Sequence, residues 1–231
     1  DAAIANGIFY PDHYPLSLDY VKAMAPDGSD VTLENGHKGK YRSVFDIELE
    51  KEGTYTIYSA SSGLSARWID DEGERQYWPP RGAQKTNEDF YKEVPQDAKE
   101  LEVSERSRRV ETFVTSGAPT YDTLGPTGKG LELEPVTHPN DLYTGENITF
   151  KFNIDGAAAA RTEIFLVKGG ERYRDQAQPT KLTTNEKGEV TFTLDEPGMY
   201  WLEAEYADDN GEAPATKRQG SYVAVLEVLP M

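Results

Sequence analysis

"NEKGEVTFTLDEPGMYWLEAEY", residues 185–206, sets out a Lys-Gly turn, an alternating run, an acidic turn ending in glycine, and a second run that opens on aromatic residues. Side chains that alternate with a period of two belong to a half-buried strand, and the Gly-bearing turn between two such runs closes a hairpin. The same order recurs in "HKGKYRSVFDIELEKEGTYTIYSA", residues 37–60. A repeat of this kind points to two related units in tandem, and it is a pattern of folding rather than of chemistry.

Outward from the repeat, helical periodicity is scarce and β-branched or aromatic stretches recur between Gly, Asn and Asp turns, so the chain reads as all-β. In the first half "KYRSVFDIEL" (40–49) and "GTYTIYSASS" (53–62) are joined by "EKEG", and "LSARWI" and "ERQYW" by "DDEG", which predicts two hairpins. Thr86 caps a short helix with Asp89 three residues on, Pro95 limits its length, and "RRVETFVTSG" (108–117) resumes a strand. Residues 117–130, "GAPTYDTLGPTGKG", read as a linker. Behind it "LELEPV", "NITFKFNI", "RTEIFLVK", "TKLTT", "EVTFTL", "MYWLEAEY" and "SYVAVLEV" give the seven short strands of an immunoglobulin-like or transthyretin-like sandwich. The expected organisation is an N-terminal β-sandwich domain over 1–116, a linker over 117–130 and a C-terminal immunoglobulin-like sandwich over 131–231.

The charge is distributed evenly. Lys+Arg 24 against Asp+Glu 41 gives −17, with 14 − 22 = −8 over residues 1–116 and 10 − 19 = −9 over 117–231. Neither half is basic, which argues against nucleic acid and anionic membrane as partners and favours cations. The absence of cysteine excludes disulfides, thiolate metal sites and cysteine nucleophiles. No apolar run approaches the roughly 18 residues of a membrane span, and "DAAIANGIFY" lacks the basic start of a signal peptide. Nucleophile elbows, phosphate loops, dinucleotide fingerprints and His-Glu-x-x-His are missing too, so the expectation is a protein that is not an enzyme.

Chemistry must then come from the three histidines, the carboxylates and the aromatic residues. His13 stands beside Asp12, between Tyr10 and Tyr14, in a loop stiffened by Pro11 and Pro15; it either presents a ligand or plugs the end of a sandwich. His37 sits in a polar Gly-flanked turn and is expected at the surface. His138, in "THPND", is either a turn residue, with Pro139 pushing it to extended geometry, or a ligand with Asp141 nearby. No pair has the spacing of a local metal clamp, so a site must be assembled from distant segments. Arg172 and Arg174 in "GGERYRD" project to one side of an extended segment and could clamp a carboxylate or phosphate, or pair with local acids. Trp68 and Trp78, on two arms of one hairpin, form an aromatic platform for carbohydrate or pack in the core. "DDEGE" (70–74) and "DDNGE" (208–212) lack the Asp ladder of a calcium loop and fit hairpin tips.

Several stretches in order, "IANGIFYPDHYPLSLD", "GKYRSVFDIEL", "SRRVETFVTSGAPT", "GLELEPVTHPNDLYTGE", "GGERYRD" and "SYVAVLEVLP", resemble the bacterial periplasmic proteins of domain-of-unknown-function family 4198, often labelled as nickel- or cobalt-uptake components. The resemblance implies export to the periplasm or beyond, two β-domains and an accessory role in metal uptake. His13 and His138 fall in matching segments, whereas His37 does not. Family members usually carry, ahead of the segment matching "DAAIANG", a signal peptide and a mature start with a histidine and a tryptophan leading into a first strand, and this chain is expected to lack that part. The leading expectation is a binding protein that takes a divalent Ni, Co, Cu or Zn ion, or a small metal complex, on His13 and His138 with Asp12 and Asp141, and passes it to a membrane transporter or outer-membrane receptor. The alternatives are a structural or adhesive module that self-associates through a sheet edge, and a carbohydrate-binding module.

Overall fold

The structure, a computed structural model, describes residues 1–80, 83, 85–170 and 179–231. The alternating runs become strands: β1 (Ala3–Ile4), β2 (Tyr14–Pro15), β3 (Lys22–Met24), β4 (Asp30–Val31), β5 (Glu34–Lys38), β6 (Ser43–Asp46), β7 (Gly53–Ile69), β8 (Arg75–Trp78) and β9 (Lys99–Ser116). The second half supplies β10 (Leu131–Pro135), β11 (Ile148–Ile154), β12 (Ala157–Ala158), β13 (Glu163–Lys168), β14 (Thr180–Thr183), β15 (Glu189–Phe192), β16 (Gly198–Asp208) and β17 (Lys217–Val228). Helix α1 (Asn87–Glu93) starts at Thr86, whose side chain accepts from the Asp89 amide while Asp89 accepts from the Thr86 amide, the reciprocal cap that the sequence predicts.

All seven strands expected of the second half are present, and they close a sandwich. One layer runs β10-β11-β15, with β12 extending the β11 edge. The other belongs to a nine-stranded sheet in the order β14-β13-β16-β17-β9-β7-β3-β4, with β8 also on β7. Ile148, Phe150 and Phe152 of the first layer meet Leu202, Tyr222 and Leu226 of the second in the largest core cluster. That burial of apolar surface is the main force holding the layers together.

The nine-stranded sheet also crosses from one half of the sequence to the other. β17 pairs with β9 in parallel, from Lys217 opposite Ser104 to Val225 opposite Thr112. β9 in turn pairs antiparallel with β7 along almost its whole length. Residues 117–130 are tied down rather than loose: Leu124 is buried in the main core, and the amides of Thr127, Gly128 and Lys129 all donate to the Glu132 carboxylate.

Two faces of this sheet are used differently. On the inner face, which also packs on the β10-β11-β15 layer, Leu64, Ala66 and Val103 meet Trp78, Phe90 and Val94 in a second cluster under α1. On the outer face, Ala23 and Ile57 lie beneath half-buried Leu16, Leu33, Phe45 and Ile47, which come from the N-terminal segment and the β5-β6 hairpin.

The first half departs from expectation in its pairing. "GTYTIYSASS" and "LSARWI" are one 17-residue strand, with Gly63 carried through opposite Arg106. The hairpin expected between 40–49 and 53–62 does not form, because β6 folds back on β5. β5 is "ENGHK", exposed throughout, and a run without alternating apolar residues gives no periodic signal to read. The second expected hairpin does form, with Ile69 opposite Arg75 and the Asp70 amide bonded to the Glu74 carbonyl.

Candidate functional site

A buried polar cluster lies where the β7 and β9 ends meet the segment 117–124 and the turn after β10. Gly53 opens β7 with φ 125°, and a side chain there would meet Pro26 Cβ at 2.7 Å, so the bend demands glycine. The next residue, Thr54, is fully buried. Its hydroxyl lies 2.9 Å from Thr115 Oγ1, accepts from the Thr120 amide and stands 3.0 Å from His138 Nε2. Thr115 donates to Asn140 Oδ1, and Asn140 Nδ2 donates to the Phe113 carbonyl. Threonines from strand ends, a histidine and an asparagine thus close a hydrogen-bonded ring around the junction.

His138 is 2% exposed, with the Tyr121 ring edge-on at 4.9 Å. Its Nδ1 accepts the Asn140 amide, so that nitrogen is unprotonated; Nε2 therefore carries the proton and donates to the Thr120 carbonyl at 3.0 Å. Burial lowers its pKa from 6.5, more than the Thr120 carbonyl and the nearby Asp141 charge raise it. The ring is thus held neutral with both nitrogens engaged.

An imidazole binds a metal through an unprotonated nitrogen with a free lone pair. In His138 one lone pair takes the Asn140 amide and the other nitrogen is protonated, and "THPND" forms a turn whose histidine staples it to β7. Asp141 caps the same turn through its amide, which donates to the His138 carbonyl.

His13 stands elsewhere. It is half-buried, edge-on to Tyr14 at 4.2 Å, and Asp12 beside it accepts the Asn6 amide at 3.0 Å. Neither histidine is among the other's contacts. His37 lies on exposed β5, opposite Val44. Among the described residues no three His, Asp or Glu side chains gather closely enough to hold an ion. Arg172 and Arg174 lie outside the described residues.

The two tryptophans of the expected platform share one hydrophobic cluster. Trp78 is 4% exposed, packs edge-on to Phe90 at 5.4 Å, and its Nε1 donates to Glu93. Trp68 packs half-buried against the same cluster.

Sequence reasoning missed the charged group at the edge of the main core. On the inner face, one cross-strand row runs Leu166, Leu202, Ala224, Glu111 and Tyr58, so an apolar row ends on a buried carboxylate. Glu111 accepts from Tyr222 Oη at 2.6 Å and from Arg109 Nε at 2.5 Å, while the Arg109 guanidinium lies 4.6 Å from the Tyr58 ring centroid. Glu132, also buried, approaches Arg109 to 4.0 Å. Burial pushes the Glu111 carboxyl up, against the pull of Arg109 and Tyr222, and pushes the Tyr222 phenol well above its ordinary range. The signal was present as Arg-x-Glu inside a strand, but alternation alone does not say which face is covered.

Thr56 Oγ1 is the one buried side-chain oxygen or nitrogen among the described residues that has no hydrogen-bond partner. It lines a cavity of about 10 Å³ shared with Arg109, Glu111 and Glu132. That volume is about the least a single water molecule needs.

No described helix is long and apolar enough to cross a membrane. A family model described as "Domain of unknown function (DUF4198)" matches residues 1–208. A search of curated proteins found no match.

Proposed function

The chain belongs to the DUF4198 family, whose model covers nine-tenths of it (208 of 231 residues), and from that premise we propose a non-enzymatic, exported binding protein that serves transition-metal uptake. The observation that carries the non-enzymatic part is how the buried polar groups are used. His138, Glu111, Glu132, Arg109 and Tyr222 are bound to one another or to backbone at the junction of the two halves, where they fix shape. General acids and bases need a reach to substrate that such groups lack.

For the metal, the ligand in this reading is His13 with Asp12, in a loop at the surface. Two donors leave an ion's remaining positions to water or to a small molecule that carries it. Such a site suits a weak, exchangeable cargo of Ni, Co, Cu or Zn handed to a membrane transporter or outer-membrane receptor. Isothermal titration with nickel and zinc, alone and as histidine complexes, tests this. His13→Ala is expected to abolish binding, and His138→Gln to leave it intact while lowering stability. Equal binding by wild type and His13→Ala would remove the assignment.

A second reading, a module that assembles through a sheet edge, is favoured by one observation. β7 is paired on one side with β3 at 56–58 and with β8 at 66–69, and no described strand covers the stretch between. Native mass spectrometry over a concentration series separates self-assembly from a monomeric carrier.

A further inference from the structure

We propose that the uncovered edge of β7, residues 59–63, is a docking site for an extended acidic peptide segment, which adds to the sheet as a strand and is selected by Arg106 and Arg108. The inference is independent of the metal reading.

In an antiparallel strand, alternate residues turn their N–H and C=O groups to opposite sides. Leu64 shows which set faces outward, since its amide leaves the sheet to meet Asn87 Oδ1 at 3.4 Å. By the same alternation Ala60 and Ser62 aim their amides and carbonyls away from β9, and no described strand, turn or side chain takes them up. Both residues are exposed. An edge of this kind is a template for a further strand.

The side chains then specify what that strand carries. On the outer face, cross-strand rows place Ser61 beside Arg108 and Gly63 beside Arg106, followed on β17 by Ser221 and Gln219. Serine and glycine on β7 leave nothing tall between the edge and the two guanidiniums. Neighbouring strands are about 4.8 Å apart, so an added strand would run about 9.6 Å from β9, within the reach of an arginine laid across a serine or glycine. The neighbouring cations are already engaged: Arg67 with Glu102, Arg109 with Glu111 and Arg218 with Asp208. Arg106 and Arg108 are exposed and have no ion pair among the described residues.

Two arginines in a chain of net charge −17 are a local exception, and their spacing matters. Alternate residues of a strand lie about 6.7 Å apart, which is also the repeat of same-side side chains in an added strand. Carboxylates at alternate positions therefore match Arg106 and Arg108 one to one. Glu205 lies on the far side of Ser221 in the Arg108 row, which disfavours an anion there and leaves the β7 side open. At physiological ionic strength the Debye length is about 8 Å, so the acidic remainder of the surface repels the peptide only weakly.

The test is fluorescence anisotropy with a dye-labelled peptide of alternating Glu and Thr, against a Lys-Thr peptide, oligogalacturonate and inorganic phosphate. Expected is saturable binding of the Glu-Thr peptide, weakened at least roughly ten-fold in Arg106→Gln/Arg108→Gln, and amide-exchange protection confined to residues 59–63. Ser62→Pro, which removes an outward N–H without changing charge, is expected to weaken binding too. Arg67→Gln serves as a charge control with little effect. Equal binding by the double arginine variant overturns the proposal, as does protection elsewhere. Tighter binding of oligogalacturonate or phosphate, or dimerisation that occupies the edge, overturns the choice of an acidic peptide.

Discussion

The imidazole Nε2 of His138 lies 3.0 Å from Thr54 Oγ1 across 84 residues of sequence, and this contact joins the turn after β10 to the start of β7. His138 therefore governs how the junction responds to pH. Burial depresses its pKa in the folded chain, whereas the unfolded chain titrates near the ordinary 6.5. The unfolded state binds more protons below that value, so the contribution of His138 is complete above about pH 6.5 and declines as the pH falls through the depressed folded pKa. Urea midpoints of the wild type should drop between about pH 7.5 and pH 5.5, and His138→Gln should flatten part of that drop. At pH 7.5, His138→Ala should cost about 2–3 kcal/mol, because the Asn140 amide and the Thr120 carbonyl lose a buried partner. Identical pH slopes for wild type and variant would refute the titration argument.

Glu111 works with the opposite sign. Its carboxyl is raised by burial, so what it contributes is fully present below its ordinary 4.5 and is lost as the pH rises through the folded value. At neutral pH it depends on its donors. Tyr222→Phe removes one of two and should cost about 1–3 kcal/mol. Arg109→Ala should cost more, about 3–5 kcal/mol, since it leaves Glu111 buried without its cation. Denaturant titration of the two variants at pH 7.5 checks the order, and an Arg109→Ala cost below that of Tyr222→Phe would show the pair to be dispensable.

These two groups mark where the sequence was legible. Alternation in "EVTFTL" and "MYWLEAEY" located β15 and β16 because one face of each is buried in a single core. Thr86 and Asp89 announced the helix because capping is a local interaction. Pairing across long separations left no such trace: nothing near Ser104 states that it lies beside Lys217, and β5 lacks any apolar rhythm. His138 was ambiguous for the same reason, since its partner Thr54 is remote in sequence and the turn chemistry of Pro139 and Asn140 is equally at home on a surface.

Trp78 offers an optical check on the aromatic cluster. Of the three tryptophans it alone is 4% exposed, so a fraction of the emission should resist acrylamide and vanish selectively in Trp78→Phe. Trp78→Ala should destabilise the chain by about 3–5 kcal/mol through the cavity left under α1. Neutral oligosaccharides should not shift the spectrum. A blue shift on adding one would show a sugar-facing ring.

The parallel pairing of β17 with β9 makes the most demanding prediction, that the halves of the sequence do not unfold separately. Nine residue pairs, from Lys217–Ser104 to Val225–Thr112, join the last strand of each half. Phe113 of β9 and Leu124 of the following segment belong to the core of the second half, and Arg218 holds Asp155 and Asp208 beyond it. A fragment of residues 131–231 would lose Phe113 and Leu124 and bare one edge of β17; a fragment of 1–130 would bare β9 from Ser104 onward. Each should therefore be aggregation-prone or partly unfolded alone, while the whole chain melts in one calorimetric transition whose van't Hoff and calorimetric enthalpies agree. Limited proteolysis sharpens the test, because residues 117–130 should resist cleavage that a free linker would suffer. Two separate transitions, or two stable fragments after a cut in 117–130, would show the shared sheet to be a contact between independent domains.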